Sequence, residues 1–187
     1  QQYTRAGAYS VDRDGNVINH ANDRLQVYGA ATGVGGVTTF NTGVLQDLQL
    51  PTTPSAPSAS TTVTAALNLD SSQSVPTAAF NPANPASYNG STSTTVYDSL
   101  GNAHTSTMYF RKSASNAWEQ FYYVDGTEVP PAGQAAGTPF TLTFDGTGAL
   151  TTVNGAAATS AAADPYDPGN GASPINLTLD FNGTTQY

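Results

Sequence analysis

Residues 175–181 read Ile175-Asn176-Leu177-Thr178-Leu179-Asp180-Phe181, with Ile175, Leu177, Leu179 and Phe181 on one side and Asn176, Thr178 and Asp180 on the other. Successive side chains of an extended chain point to opposite faces, so this period of two describes a half-buried β-strand. The pattern recurs: Val63, Ala65, Leu67 and Leu69 alternate with Thr64, Ala66 and Asn68, and Phe140, Leu142 and Phe144 alternate with Thr141 and Thr143. Short extended runs are separated by turns of one chemistry, Asp12…Gly15, Asp98…Gly101 and Asp145…Gly148. Asp accepts backbone hydrogen bonds at such turns and Gly supplies the positive φ. No stretch holds a helical period over three turns. The fold class expected is all-β, with an outer sandwich or partial barrel of antiparallel strands and hairpins.

Along the chain, Tyr3–Val11 reads as a strand, Asp12–Asn16 as a turn and Val17–Asn19 as its return. Leu25–Tyr28 follows, Gly33, Gly35 and Gly36 mark a loop, and Val44-Leu45 with Leu48–Leu50 adds one more strand. The run PTTPSAPSAS at 51–60 holds three prolines, which remove backbone donors and favour an extended connector. It divides the chain into expected domains at 1–55 and 56–187. Beyond it, 75–89 reads as a structured loop with one helical turn near Pro85–Tyr88. Thr94–Tyr97 and Thr105–Arg111 form a hairpin around Asp98–Asn102, and Trp118–Val124 is an aromatic strand ending at Asp125-Gly126. Thr138–Phe144 and Leu150–Val153 flank the third Asp/Gly turn, and 156–171 reads as a surface loop.

Composition narrows the function. The 187 residues suffice for a core without metal or disulfide, burying roughly 70% of the extended surface. Charged residues make up 10%, against roughly 25% in an average globular protein. Ser, Thr, Asn, Gln and Ala replace them, which suits strand faces that meet neighbours as well as water. Five basic residues against thirteen acidic ones, a net charge of -8, argue against nucleic acid, whose binding needs Lys and Arg on phosphates. No apolar run approaches the roughly 20 residues of a membrane span, and no basic amphipathic helix suggests a membrane surface. With no cysteine, disulfides and thiolate metal sites are excluded. Gln1 is not an initiator methionine, so the chain is expected to have been cut from a longer one.

No reaction centre is expected: no catalytic, cofactor-binding or metal-binding residue is assigned. His20 and His104 read as surface or edge residues, and no second histidine lies at helical spacing from either. Asp12, Asp14 and Asn16 resemble the start of a calcium loop, but Gly15 falls too early and Asp23 replaces the final Glu, so a hairpin is the better reading. Gly33-Val34-Gly35-Gly36 lacks the following helix of a dinucleotide site. Glu119 is the one acid well inside an expected strand, the only candidate for glycoside hydrolysis. Its neighbour Trp118 supports an alternative, a carbohydrate-binding or adhesin β-sandwich, against the plainer reading of Trp118, Phe121 and Tyr123 as core and sheet-face residues.

The turn-bearing motifs carry a resemblance. Tyr3-Thr4-Arg5-Ala6-Gly7-Ala8-Tyr9-Ser10-Val11-Asp12-Arg13-Asp14-Gly15-Asn16-Val17-Ile18-Asn19, continued by Leu25-Gln26-Val27-Tyr28, resembles the opening motif shared by flagellar hook and distal rod proteins. Thr94-Thr95-Val96-Tyr97-Asp98-Ser99-Leu100-Gly101-Asn102-Ala103-His104, with Tyr109-Phe110, Trp118 and Tyr122, is similar to the outer domain of the flagellar hook protein family. Thr141–Asp145 and Asn176–Tyr187 extend the likeness over nearly the whole chain. Val27 stands where the family usually has Gly, and Asn22-Asp23 replaces a Gly-containing turn. The family's terminal helical segments and the returning half of its inner domain are not in the sequence. The resemblance implies an extracellular structural subunit, exported unfolded, that self-associates into the curved tube between motor and filament. It also implies rod, hook cap and hook–filament junction proteins as partners, and compact outer domains that slide on one another as the tube bends. From the alternating faces alone, Phe144→Ala or Phe181→Ala should destabilise the fold by about 3–5 kcal/mol in a denaturant melt. A loss below about 1 kcal/mol would mean the wrong face had been assigned to the core.

Overall fold

The computed structural model describes residues 7–32, 38–52 and 55–187. Its contacts divide the chain into two compact units, Gln1–Ala56 and Pro57–Tyr187.

In the first unit, β1 (Ser10–Val11) and β2 (Val17–Ile18) form an antiparallel hairpin, and β3 (Gln26–Thr32) pairs antiparallel with β4 (Thr38–Asp47). Of the described part of the expected 3–11 strand, residues 7–11, Ser10–Val11 is strand; residues 3–6, and the Gly33, Gly35 and Gly36 loop, lie outside the described residues. The strand expected at Val44-Leu45 is the end of ten-residue β4, and the run at Leu25–Tyr28 continues to Thr32. Leu48 joins the two hairpins: its carbonyl accepts from the Val17 N–H, and its own N–H donates to the Leu25 carbonyl.

The second unit contains β5 (Thr62–Thr64), β6 (Asn68–Leu69), β7 (Gly90–Tyr97), β8 (Ala103–Ala114), β9 (Ala117–Val124), β10 (Thr127–Glu128), β11 (Phe140–Phe144), β12 (Leu150–Val153), β13 (Ser160–Ala162), β14 (Thr178–Asp180) and β15 (Thr185–Gln186). The main sheet runs β12-β11-β9-β8-β7, antiparallel throughout, with β10 also paired to β9. Opposite it lie a three-stranded sheet, β13-β14-β5, and the pair β15-β6. One core joins the layers: Val96, Met108, Phe110, Trp118, Tyr122, Phe140, Leu142 and Phe144 meet Val63, Leu69, Ile175, Leu177, Leu179 and Phe181. All four apolar residues of the 175–181 run are buried, although only Thr178–Asp180 is laddered as a strand. The all-β class holds.

Two pairings go beyond a chain of hairpins. β14 lies parallel to β5, and β15 parallel to β6, so the final segment is stitched to one more than a hundred residues earlier. The period-two run at 62–69 therefore splits between two sheets. The stretch 156–171 is not simply a surface loop either: it contains β13, buried Ala163, and Tyr166, which bridges to Ile175. Its Ala-rich composition hid a strand whose partner, β14, is supplied from further along the chain. The helical turn near Pro85 is present as a 3-10 turn, Pro85–Ser87.

The three Asp/Gly turns share one geometry. In each, the N–H of Gly15, Gly101 or Gly148 donates to the carbonyl of Asp12, Asp98 or Asp145 at 3.0–3.1 Å. Each Asp Oδ1 accepts the backbone N–H groups two and four residues on, at 2.8–3.0 Å. The glycines have φ of +87°, +85° and +83°. Each is also where another segment crosses: a Cβ on Gly15 would lie 2.1 Å from the Leu50 carbonyl oxygen, and one on Gly148 2.0 Å from that of Gln186. On Gly101 it would lie 3.1 Å from Pro57 Cβ. Gly126, at φ +79°, has nothing within 4 Å of such a Cβ. Gly126→Ala should therefore cost about 1 kcal/mol in φ strain alone, and Gly148→Ala about 3 kcal/mol or more, because the Gln186 crossing is pushed off as well. Urea melts of the two variants check this, and equal losses would mean the crossing contributes nothing.

Candidate interaction surface

β9 divides the second unit chemically. Trp118, Gln120, Tyr122 and Val124 face the core, while Glu119, Phe121 and Tyr123 face outward. Trp118 is 2% exposed, and its indole Nε1–H donates to Gln186 Oε1 at 2.7 Å. Gln186 in turn donates from Nε2 to Asn116 Oδ1 at 2.8 Å. No face of the indole is left for a sugar ring, so the carbohydrate reading built on Trp118 is corrected; its strand position puts it on the same side as Tyr122 and Val124. Glu119 is paired across the ladder with Arg111, Oε2 to Nη1 at 2.8 Å, and Arg111 Nη2 donates to the Pro76 carbonyl. Glu128, which lines the same shallow cleft, accepts the Gly137 N–H at 2.9 Å. Both carboxylates are thus engaged in holding neighbouring segments.

The outward face is aromatic and hydroxylic. Phe80, from the segment preceding the 3-10 turn, stacks on Phe121 with centroids 3.7 Å apart and planes within 3°. Tyr109 meets Phe80 edge-on at 5.6 Å, and Tyr88 meets Tyr109 at 5.0 Å. Ser87 folds this segment back: its hydroxyl accepts from the Asn81 N–H and has the carbonyls of Asn81 and Asn84, at 2.9 and 2.8 Å, as acceptors for its one proton. Beside it, β7 is the edge of the main sheet, and Ser91–Thr95 are exposed and uncharged. Tyr97 shows which groups point off this edge: its N–H donates to Ser60 Oγ and its carbonyl accepts the Ser60 N–H. By ladder alternation, the backbones of Ser91, Ser93 and Thr95 point the same way.

In the first unit, the β3–β4 register places Tyr28 opposite Leu45 and Ala30 opposite Phe40 on one side of the hairpin. Tyr28, Leu45 and Phe40 are 49%, 51% and 65% exposed, an apolar stripe on a hairpin with little core of its own.

His20 is exposed, as expected. His104 is not a surface or edge residue: it is buried between Asp98 and Asp125, 3.3 Å and 2.6 Å from its ring nitrogens. The signal for this lay in the hairpin register, which pairs His104 with Val96 and so turns both toward the core face. With a carboxylate at each nitrogen, the ring has no free lone pair to take a proton from a substrate. Asp12 is likewise engaged within its turn; its hydrogen bond from the Asn16 side chain, joined by backbone N–H groups, holds its carboxyl below the ordinary range.

These are the features of a β-rich structural module, with hydroxyl and aromatic surfaces laid over a single continuous core in its larger unit. The profile of the family described as "Flagellar basal body protein FlaE D2 domain" matches residues 68–187, and the chain belongs to that family. It is 34% identical over 186 residues to the flagellar hook protein FlgE of Escherichia coli K12, covering 98% of this chain and 43% of that protein. It is 31% identical over 189 residues to FlgE of Salmonella typhimurium LT2, with coverage of 98% and 43%. With FlgE of Borreliella burgdorferi B31 it shares 30% over 185 residues, 96% of this chain and 37% of that one. The chain thus spans less than half the length of these curated relatives.

Proposed function

We propose that the chain is part of a structural, non-catalytic subunit of the bacterial flagellar hook. Residues 1–55 supply part of an inner domain and 56–187 the outer domain, which meets copies of itself on the outside of an extracellular tube. The observation that carries this reading is the family match together with likeness to hook proteins along nearly the whole chain. The surface chemistry supports it. Contacts between identical subunits that do not close on themselves build helical assemblies. Faces of Ser, Thr, Asn and Tyr make hydrated contacts whose hydrogen bonds re-form with water at little cost. Such contacts suit outer domains that shift against one another as the tube turns. Rod, cap and junction proteins of the same axis are the further partners in this reading.

Exchanging the matching 186 residues of the Escherichia coli hook protein for this chain tests it. Hooks of normal length on swimming cells are the expected result. A chimera that is exported and folds, yet accumulates outside the cell as monomer, would contradict the reading.

A further inference from the structure

Three parts of the second unit meet at His104. Asp98 opens the β7–β8 turn, Asp125 begins the turn after β9, and Tyr166 and Asn170 lie on the segment joining β13 to β14. The ring sits with Nδ1 2.6 Å from Asp125 Oδ2 and Nε2 3.3 Å from Asp98 Oδ2. The Tyr166 hydroxyl donates to the same Asp125 oxygen at 3.4 Å, and its ring stands edge-on to the imidazole with centroids 6.0 Å apart. Asn170 Nδ2 donates to Asp98 Oδ2 at 2.7 Å, and the Ser173 N–H donates to Ser99 Oγ at 3.0 Å. Two ionised carboxylates call for an N–H at both ring nitrogens, and only the imidazolium has both. We propose that His104 is a proton-operated clasp: with both ring nitrogens protonated it fastens the 164–175 segment to the β7–β8 turn, and on losing a proton it lets that segment loosen.

The two carboxylates are not equivalent. Burial pushes the Asp98 carboxyl up, but this is outweighed by hydrogen bonds, from Asn102 and Asn170 above all, and its pKa lies well below the ordinary value. Asp98 keeps the side-chain amides of Asn102 and Asn170 and the N–H groups of Leu100 and Asn102 whatever the ring does. Asp125 has a side chain 40% exposed and keeps the Thr105 N–H and the Tyr166 hydroxyl. The neutral ring keeps a single N–H, so one of its nitrogens then turns a lone pair toward a carboxylate; the ring shifts away from that oxygen and gives up the edge-on packing of Tyr166. Asp98, Asp125 and the Tyr166 phenol are the titratable groups that face the ring.

The direction with pH follows from linkage. The hydrogen bond to Asp125, with a smaller contribution from Asp98, raises the His104 pKa above 6.5 against the opposing effect of burial. A group raised on folding stabilises fully below its unfolded pKa, and that contribution is lost as pH rises through the folded value. Asp125, held low chiefly by His104, gives the opposite limb, lost as pH falls through its depressed pKa. The clasp is closed below the His104 titration and opens as pH rises through it.

The test is an imidazole NMR titration of the 187-residue chain. His104 should titrate above the 6.5 of an unperturbed histidine. The amides of Tyr166 and Ser173, corrected for intrinsic rates, should exchange about tenfold faster above that titration than below it. Asp125→Asn should lower the His104 midpoint toward that unperturbed value and flatten the exchange step. Should that variant fail to fold, Tyr166→Phe, which leaves both carboxylates in place, should keep the raised midpoint with a smaller step. A wild-type His104 midpoint at or below 6.5, or no exchange step across it, overturns the proposal.

Discussion

The larger unit depends on the backbone crossing at Gly148. There the Gln186 N–H donates to the Gly148 carbonyl, at a turn whose φ and close approach admit no Cβ. The same four residues, 184–187, bond to Ala65, Leu67 and Leu69 through backbone and Thr184 groups, and Gln186 meets the indole of Trp118. One short segment thus ties the β6 layer, the β11–β12 turn and the central strand β9 together. Loss of its register would leave buried backbone and side-chain donors of both layers unsatisfied, a larger penalty than the loss of any one contact. The other two Asp/Gly turns repeat the device, each receiving a passing segment on its glycine.

That arrangement frees the outer surface from structural duty. Because the long strands of the main sheet spend alternate residues on one shared core, the opposite residues are open to another chemistry, and the sequence fills them mainly with Ser, Thr and Tyr, Arg111 and Glu119 being paired with one another. In a chain of net charge -8, uncharged patches are where two copies approach with least repulsion. The uncharged edge of β7 and the aromatic group around Phe80 supply such patches in the second unit, and the Tyr28–Leu45–Phe40 stripe supplies an apolar one in the first. Fold and proposed assembly are thus two consequences of the same alternation.

How much of this the sequence disclosed follows from what alternation reports. It tells which residues share a face, so the buried set at 175–181 and the hairpins at 94–111 and 140–153 were legible, as were the three turns, whose Asp and Gly have fixed backbone tasks. It does not tell which distant segment completes a ladder. The parallel pairings of β5 with β14 and β6 with β15 were therefore hidden, and so was β13, which lacks the β-branched residues that mark most strands. His104 was misplaced for a different reason. Residue type suggested a surface, whereas its register opposite Val96 set its direction, and the carboxylates that make burial tolerable come from two turns and so are visible only in three dimensions. The plainer reading of Trp118 as core was the right one, since Tyr122 and Val124 follow it at the same parity.

The proposed meeting of second units with other copies of themselves is open to direct observation. An image reconstruction of a tube assembled from a hook protein carrying this chain, resolved to individual strands, makes that observation. The account predicts density for 57–187 touching neighbouring copies through uncharged Ser-, Thr- and Tyr-bearing faces, with the Trp118 core intact. Outer units standing apart in solvent, each free of its neighbours at every position around the tube, would contradict it.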